Sequence, residues 1–72
     1  MKKTITWLQG LNTATIEIKG KDAEQLANVL AIALSKMYDY DKSKGYKRCA
    51  EDDYKLFEQF AEYGDELSTS NK

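Results

Sequence analysis

The chain has 72 residues, with eleven Lys or Arg against twelve Asp or Glu and a net charge of −1 at pH 7. This length allows one small domain, whose core supplies only about 3–5 kcal/mol of net stability. One cysteine and no histidine exclude an intramolecular disulfide, a Cys/His zinc site and a histidine catalytic base. We therefore predict a non-enzymatic protein without metal or cofactor, in which burial against a partner, such as a second copy in a homodimer, supplements the core.

Two strands open the chain, over residues 4–9 and 13–19. The second strand has apolar residues at alternate positions, the pattern of a half-buried strand: Ala14, Ile16 and Ile18. Residues 10–12, Gly-Leu-Asn, predict a three-residue hairpin loop, because glycine and asparagine tolerate positive φ. Trp7 fits a core position on this hairpin, although tryptophan is also common at the centre of interfaces, and both readings stay open.

A first helix is predicted from Ala23 to Tyr38, opened by a capping box of Asp22 and Gln25. Nine of the twelve residues from 26 to 37 are apolar. A helix with so little polar surface is covered on more than one side. We expect the hairpin to cover one face, and either the second helix or a second subunit to cover the other.

Residues 39–48 read as a polar loop, and a second helix follows from Cys49 to Tyr63, with Gly64 as its stop. Cys49 falls on the apolar half of this helix, which predicts a buried, unreactive thiol. The expected architecture is ββαα in the α+β class. It forms a single compact domain over residues 1–67, with a disordered tail over residues 68–72.

Charge is distributed unevenly along the chain. Residues 1–48 hold nine basic and five acidic residues, whereas residues 49–72 hold two basic and seven acidic residues. The acidic residues fall along one side of the second helix and its extension: Glu51, Asp52, Glu58, Glu62, Asp65 and Glu66. Such a face steers association with a basic surface on a protein partner, although a purely solvated helix face has the same pattern.

In size, absence of motifs and charge asymmetry, the chain resembles the small inhibitors carried by phages and mobile elements, including anti-CRISPR proteins. The likeness is one of overall character and has no diagnostic motif behind it. It implies that the acidic helix occupies a basic, nucleic-acid-binding groove on a target protein.

The segment between the helices supports two alternative functions. Tyrosines alternate there with cations, a combination suited to nucleic-acid binding: Tyr40, Lys42, Lys44, Tyr46, Lys47 and Arg48. The same segment, residues 39–51, begins Asp39-x-Asp41-x-Ser43 like a calcium-binding loop. The glycine and glutamate of that pattern each arrive one position late, as Gly45 and Glu51, and the basic residues oppose a divalent cation.

The start of the chain bears on its location. The residues after Met1 alternate in polarity, whereas a signal peptide has a continuous apolar run. The twelve-residue apolar stretch is shorter than the roughly 20 residues that span a bilayer. Together with the absence of a cysteine framework, this predicts a cytoplasmic protein that does not enter a membrane.

Overall fold

A computed structural model describes residues 1–70 and confirms the ββαα, α+β architecture. The elements in chain order are β1 (Lys2–Trp7), β2 (Asn12–Glu17), α1 (Ala23–Ser43) and α2 (Lys47–Ser70). The two strands form an antiparallel hairpin, and the molecule is flat and elongated, 41 × 22 × 14 Å. Both strands begin slightly earlier than the sequence predicted. Of the predicted tail, residues 68–70 belong to α2, and residues 71–72 lie outside the described residues.

The hairpin turn differs from the prediction. Trp7 pairs with Asn12, so four residues, 8–11, form the turn in place of the predicted three-residue loop at residues 10–12. Leu8 and Gln9 both have positive φ, 53° and 57°, and this left-handed region costs non-glycine residues about 1–2 kcal/mol each. The glycine signal predicted the turn but not its length, because two non-glycine residues share the left-handed geometry.

The inner face of the hairpin packs over the groove between α1 and α2. Ile5, at 1% exposure, contacts Ala31 of α1 and Phe60 of α2. Trp7 is half-buried and packs against the same cluster. The hairpin therefore closes one side of a two-helix layer, with Trp7 at the edge of the core.

Tyr63 joins the helices to the open end of the hairpin. Its side chain is fully buried, and its hydroxyl accepts the N–H of Ile18 at 2.9 Å and donates to the carbonyl oxygen of Met1. The carbonyl oxygen of Ile16 lies 3.2 Å from the same hydroxyl. A buried tyrosine hydroxyl needs such partners. Tyr63 therefore packs its ring in the core and hydrogen-bonds the backbone at the open end of the hairpin.

The buried apolar residues of α1, within the part of the chain described, are all alanines: Ala23, Ala27 and Ala31. Its larger aliphatic residues Leu26, Val29 and Ile32 are each more than half exposed. We expected the hairpin and a second element to cover two separate faces of this helix. In the structure the hairpin and α2 share one face, which leaves an apolar outer surface.

The segment between the helices is mostly helical, which corrects the predicted loop at residues 39–48. Helix α1 continues to Ser43 and ends in a Schellman arrangement, in which Tyr46 N–H reaches the Asp41 carbonyl (2.9 Å) and Gly45 N–H the Lys42 carbonyl (3.2 Å). Gly45 has a φ of 80°, the left-handed conformation this helix end requires. The sequence signal for the end of α1 was Gly45, seven residues beyond the predicted end at Tyr38.

Gly64 does not stop α2, which is the second boundary to correct. The helix runs through Gly64 to Ser70. Gly64 lies at a close contact between α2 and α1. A Cβ built on Gly64 falls 2.5 Å from the Asn28 Oδ1 and 3.7 Å from the Ala27 Cβ. Gly64 allows the two helices to pack closely. In the sequence it stands near the end of an apolar pattern, where a glycine that stops a helix also stands, so the two roles look the same.

Two further predictions are wrong in detail. Asp22 occupies the N-cap position of α1 but makes no side-chain capping hydrogen bond, so the predicted capping box with Gln25 does not form. Cys49 is exposed, whereas the next residue, Ala50, is buried, so the buried side of α2 includes Ala50 and not Cys49. Within residues 1–70, neither helix has an apolar stretch of the length and hydropathy needed to cross a bilayer.

Candidate functional site

The six acidic residues singled out from the sequence divide into two groups in the structure. All six lie on α2, since this helix extends past Gly64 and includes the last two. Asp52 and Glu66 face the hairpin, Glu62 lies near Lys3 of the hairpin but is largely exposed, and the other three project from the outer side of the helix. The division matters because a carboxylate that holds the fold together is not available to a partner.

Asp52 and Glu66 attach the hairpin to α2. The Gln9 N–H donates to Asp52 Oδ1 at 2.8 Å, which holds the strained turn in place. The Lys3 ammonium donates to Glu66 Oε1 at 2.9 Å and lies 3.5 Å from Glu62, and the hydrogen bond to Glu66 raises the pKa of Lys3. Asp52 and Glu66 therefore hold the hairpin against α2. Glu62 also lies near Lys3, but its side chain is largely exposed on the outer surface.

Gln59 supports the same attachment from the middle of α2. Its side-chain amide accepts the N–H of Thr6 at 2.7 Å and donates to the Thr6 carbonyl at 2.6 Å. Gln59 thus satisfies the outward backbone groups of β1 as a neighbouring strand would. This contact could not be predicted from the sequence, because the helical period shows that Gln59 is on the polar side of α2 but not which element crosses that side.

The four remaining carboxylates form an acidic stripe, which we define as Glu51, Glu58, Glu62 and Asp65. At a rise of 1.5 Å per residue the stripe extends about 21 Å along α2. Within residues 1–70, the carboxylates of Glu51, Glu58 and Asp65 have neither an ion pair nor a hydrogen-bond donor in reach. Their charges face solvent, and the cations Lys47 and Lys55 lie on the same side of α2, each four residues from Glu51.

No protein-family model, curated protein or solved structure matches this chain.

Tyr54, which was not among the predicted site residues, lies beside the acidic stripe. Its side chain is 46% exposed, and its ring stacks at a tilt on Tyr38, with 5.4 Å between centroids. An open depression runs from these two rings to Glu51 and Glu58. Exposed, rigidly held tyrosines are frequent anchors of protein interfaces, and the helical wheel concealed this one because it placed Tyr54 among core residues.

The residues of the alternative nucleic-acid site come together at the opposite end of the helices from the chain termini. Tyr40 and Lys42 end α1, Lys44 and Tyr46 form the turn, and Lys47 and Arg48 begin α2. All six are exposed. The Lys44 ammonium lies 5.7 Å from the Tyr40 ring centroid, and that of Lys42 lies 5.6 Å from the Tyr38 ring centroid. The lysines thus engage aromatic faces that base stacking would use.

The calcium-loop hypothesis is contradicted by the local structure. Asp39, Asp41 and Ser43 lie within α1, and a continuous helix cannot wrap alternate side chains around one ion as a calcium loop does. Asp41 is buried, at 7% exposure. Across residues 1–70, no cluster of three or more cysteine or carboxylate side chains is placed to hold a metal ion.

Asp41 faces Asp53 of α2 instead. Burial, a hydrogen bond to Asp41 and repulsion from Asp41 and Asp52 raise the pKa of Asp53 from 3.8 to about 6. Two carboxyl groups can hydrogen-bond only when one carries a proton, and the buried Asp53 Oδ2 has no hydrogen-bond partner in residues 1–70. Asp53 therefore holds its proton at pH values where a free aspartic acid has lost it, and its carboxylate is repelled by Asp41 and Asp52 once it ionises.

Proposed function

We propose that this protein is a non-enzymatic interaction module that uses the acidic stripe of α2 to occupy a basic surface on a protein partner. The observation that carries the proposal is the set of carboxylates at Glu51, Glu58 and Asp65, none of which has an ion pair or a hydrogen-bond donor in reach within residues 1–70. These three carboxylates make no ion pair within residues 1–70, so a partner can meet them without breaking a contact of the domain.

The shape of the site supports a flat, extended partner surface. The stripe follows a straight helix for about 21 Å, and the neighbouring depression at Tyr38 and Tyr54 is open rather than enclosed. Such a surface has no cleft to hold a small substrate. A row of cations on a protein fits it, with Tyr54 as an aromatic contact beside the charges.

The nature of the partner follows from charge spacing and from the likeness to phage and mobile-element inhibitors. Carboxylates ranked along a helix present negative charge much as a nucleic-acid backbone does, so a groove that binds nucleic acid is a complementary surface. We propose inhibition by occupation of such a groove, as in anti-CRISPR proteins. Electrostatic attraction would mainly raise the association rate and make binding sensitive to salt.

The experiment is an affinity capture from nuclease-treated lysate with a matched pair of variants. The test variant carries Glu51→Lys and Glu58→Lys. The control carries Glu17→Lys and Asp39→Lys, two exposed carboxylates away from the stripe, and so has the same net charge. We expect one stoichiometric protein to be captured by the native chain and by the control, and to be lost with the test variant.

Two results would contradict this proposal. Equal loss with both variants would show that net charge, not the stripe, determines capture. Capture of nucleic acid alone, removed by nuclease treatment, would favour the second candidate, in which the exposed basic end of the helices binds nucleic acid. In that case replacement of Lys42, Lys44, Lys47 and Arg48 by serine would abolish binding and flatten its salt dependence.

A further inference from the structure

The outer side of α1 carries an uninterrupted row of apolar residues, which we call the apolar stripe. Its members are spaced three or four residues apart, so they line one side of the helix: Leu26, Val29, Ala33, Met37 and Tyr40. Each of the four larger side chains is between 51% and 56% exposed, and Ile32 beside them is 57% exposed. Half-exposed apolar side chains in this number form a patch of several hundred Å², the size that marks an interaction surface.

No element of residues 1–70 covers this stripe. The positions of α1 that meet α2 and the hairpin are Ala23, Ala27 and Ala31, together with Leu30 and Leu34, which lie on the opposite and adjacent sides of the helix. The stripe is thus turned away from α2. The apolar stripe lies on α1, whereas the acidic stripe lies on α2, and the two surfaces share no residue.

The area of the stripe fits a second copy of this chain. Two stripes pressed together bury on the order of 1,000 Å², which reaches the lower limit for a specific protein interface. A domain of this size gains much from such burial, because its own core is thin and the buried face of α1 consists of alanines.

The order of side chains along the stripe is self-complementary when two copies of α1 lie antiparallel. With a two-fold axis at Ala33, Val29 of each chain meets Met37 of the other, and Leu26 meets Tyr40 of the other. The small residue then lies at the centre, where two helices approach most closely, and a bulky residue meets a bulky residue on either side. A symmetric pair of this kind is closed and does not extend into a fibre.

Charge favours the antiparallel over the parallel arrangement. Asp22 precedes the stripe, and Lys44 follows it, so antiparallel helices set Asp22 of one copy next to Lys44 of the other. The helix dipoles also oppose each other favourably. A parallel pair would instead set Lys36 and Lys44 beside their own counterparts, where like charges repel.

We propose that this protein is a homodimer in which the apolar stripes of two α1 helices pack antiparallel about Ala33. The dimer presents one acidic stripe on each of its outer edges. The inference does not depend on the proposed function, since the two surfaces share no residue.

The test is sedimentation equilibrium of the native chain and of two variants over a wide concentration range. We expect the native chain to be a dimer and the variant Val29→Glu to have a dissociation constant at least about tenfold higher, because two charges would be buried at the interface. Leu11→Glu is the matched control. Leu11 is 85% exposed on the hairpin turn, so this change adds the same charge away from the stripe and leaves the dimer intact.

Cysteine cross-linking in a Cys49→Ser background tests the register. Ala33→Cys lies on the proposed axis and should form a disulfide-linked dimer on mild oxidation. Val29→Cys should not, because its counterpart lies about 12 Å further along the antiparallel helix. Cross-linking at both positions would overturn the antiparallel arrangement in favour of a parallel one.

Two results of the sedimentation experiment would contradict the homodimer. A native chain that stays monomeric at the highest concentration, or equal dimerisation of the native chain and Val29→Glu, would overturn the proposal. Far-UV circular dichroism and Trp7 fluorescence establish that each variant is folded, as expected for changes at residues exposed in the monomer. The Glu51→Lys, Glu58→Lys variant should remain dimeric, which separates failure of the dimer from failure of the proposed function.

Discussion

The two helices differ in which residues they bury. Helix α1 has the more apolar sequence, yet it buries alanines and exposes Leu26 and Val29. Helix α2 is rich in charge, yet it contributes the large buried residues Phe60, Tyr63 and Leu67. The difference shows that the size of a buried residue follows from the space between elements, and that the count of apolar residues in a helix does not decide which of them are inside.

The close approach of the helices explains this division. Gly64 of α2 meets Ala27 and Asn28 of α1, and such a contact leaves room only for small residues on α1. The hairpin stands further off, and its space above the groove is filled by the large residues of α2 together with Ile5. Leu26, Val29 and Met37 of α1 lie on the outside, in the apolar stripe, whereas Leu30 and Leu34 pack against the core beside the alanines.

The largest effect that tests this comparison is expected at Tyr63. Tyr63→Ala removes a fully buried ring and the hydroxyl that serves the Ile18 N–H and the Met1 carbonyl. Truncation of a buried aromatic residue costs about 3–5 kcal/mol, which equals the whole stability expected for a domain of this size. We expect the variant to be unfolded by Trp7 fluorescence and near-UV circular dichroism, while Tyr54→Ala, at an exposed position, stays folded.

A smaller effect distinguishes the buried from the exposed side of α1. Ala27 is fully buried, so Ala27→Leu overpacks the helix contact and should lower the free energy of unfolding by about 1–3 kcal/mol. Leu26→Ala, one residue away, removes a side chain that is half exposed in each chain.

Urea denaturation at concentrations where the chain is monomeric measures both changes. We expect the larger loss from the Ala27→Leu change, although it adds apolar surface. A larger loss from Leu26→Ala would mean that Leu26 belongs to the core of the single chain and that the division between the two faces of α1 is incorrect.

The smallest effect concerns the carboxyl pair that joins the two helices near their turn. The pKa of Asp53 is raised to about 6 from 3.8, so the folded state binds its proton more tightly than the unfolded state. Stability therefore falls as pH rises from about 4 to about 6, and the full loss is present at pH 7. Asp53→Asn imitates the protonated form and should be more stable than the native chain at pH 7.

The magnitude of that gain is limited because the Asp53 side chain is partly open to solvent, which screens the repulsion. We expect a rise in unfolding temperature of a few degrees at pH 7, the effect of about 1 kcal/mol in a domain of this size. The difference should disappear when the melts are repeated at pH 4. A gain that persists unchanged at pH 4 would indicate that the substitution acts through packing and not through the charge of the pair.

The outer residues of α2 show how much of the candidate site the sequence could predict. Glu51, Glu58 and Asp65 were identified correctly as facing away from the apolar half of the helix, because a helical wheel requires only the period of the helix. The same wheel could not separate them from Asp52 and Glu66, which bind the hairpin. That separation depends on where β1 and its turn cross α2, which is a contact between residues more than forty positions apart.

Local pattern alone determined the two strands, the two helices, their order and the charged outer side of α2, because alternation and helical period are properties of neighbouring residues. The tertiary structure decided the rest. It turned the polar segment after Tyr38 into helix, since the chain there packs against α2. It made Gly64 a packing residue, placed alanines at the buried apolar positions of α1 and left Leu26, Val29 and Ile32 outside. Each of these outcomes depends on the distance between packed elements, and no local pattern encodes that distance.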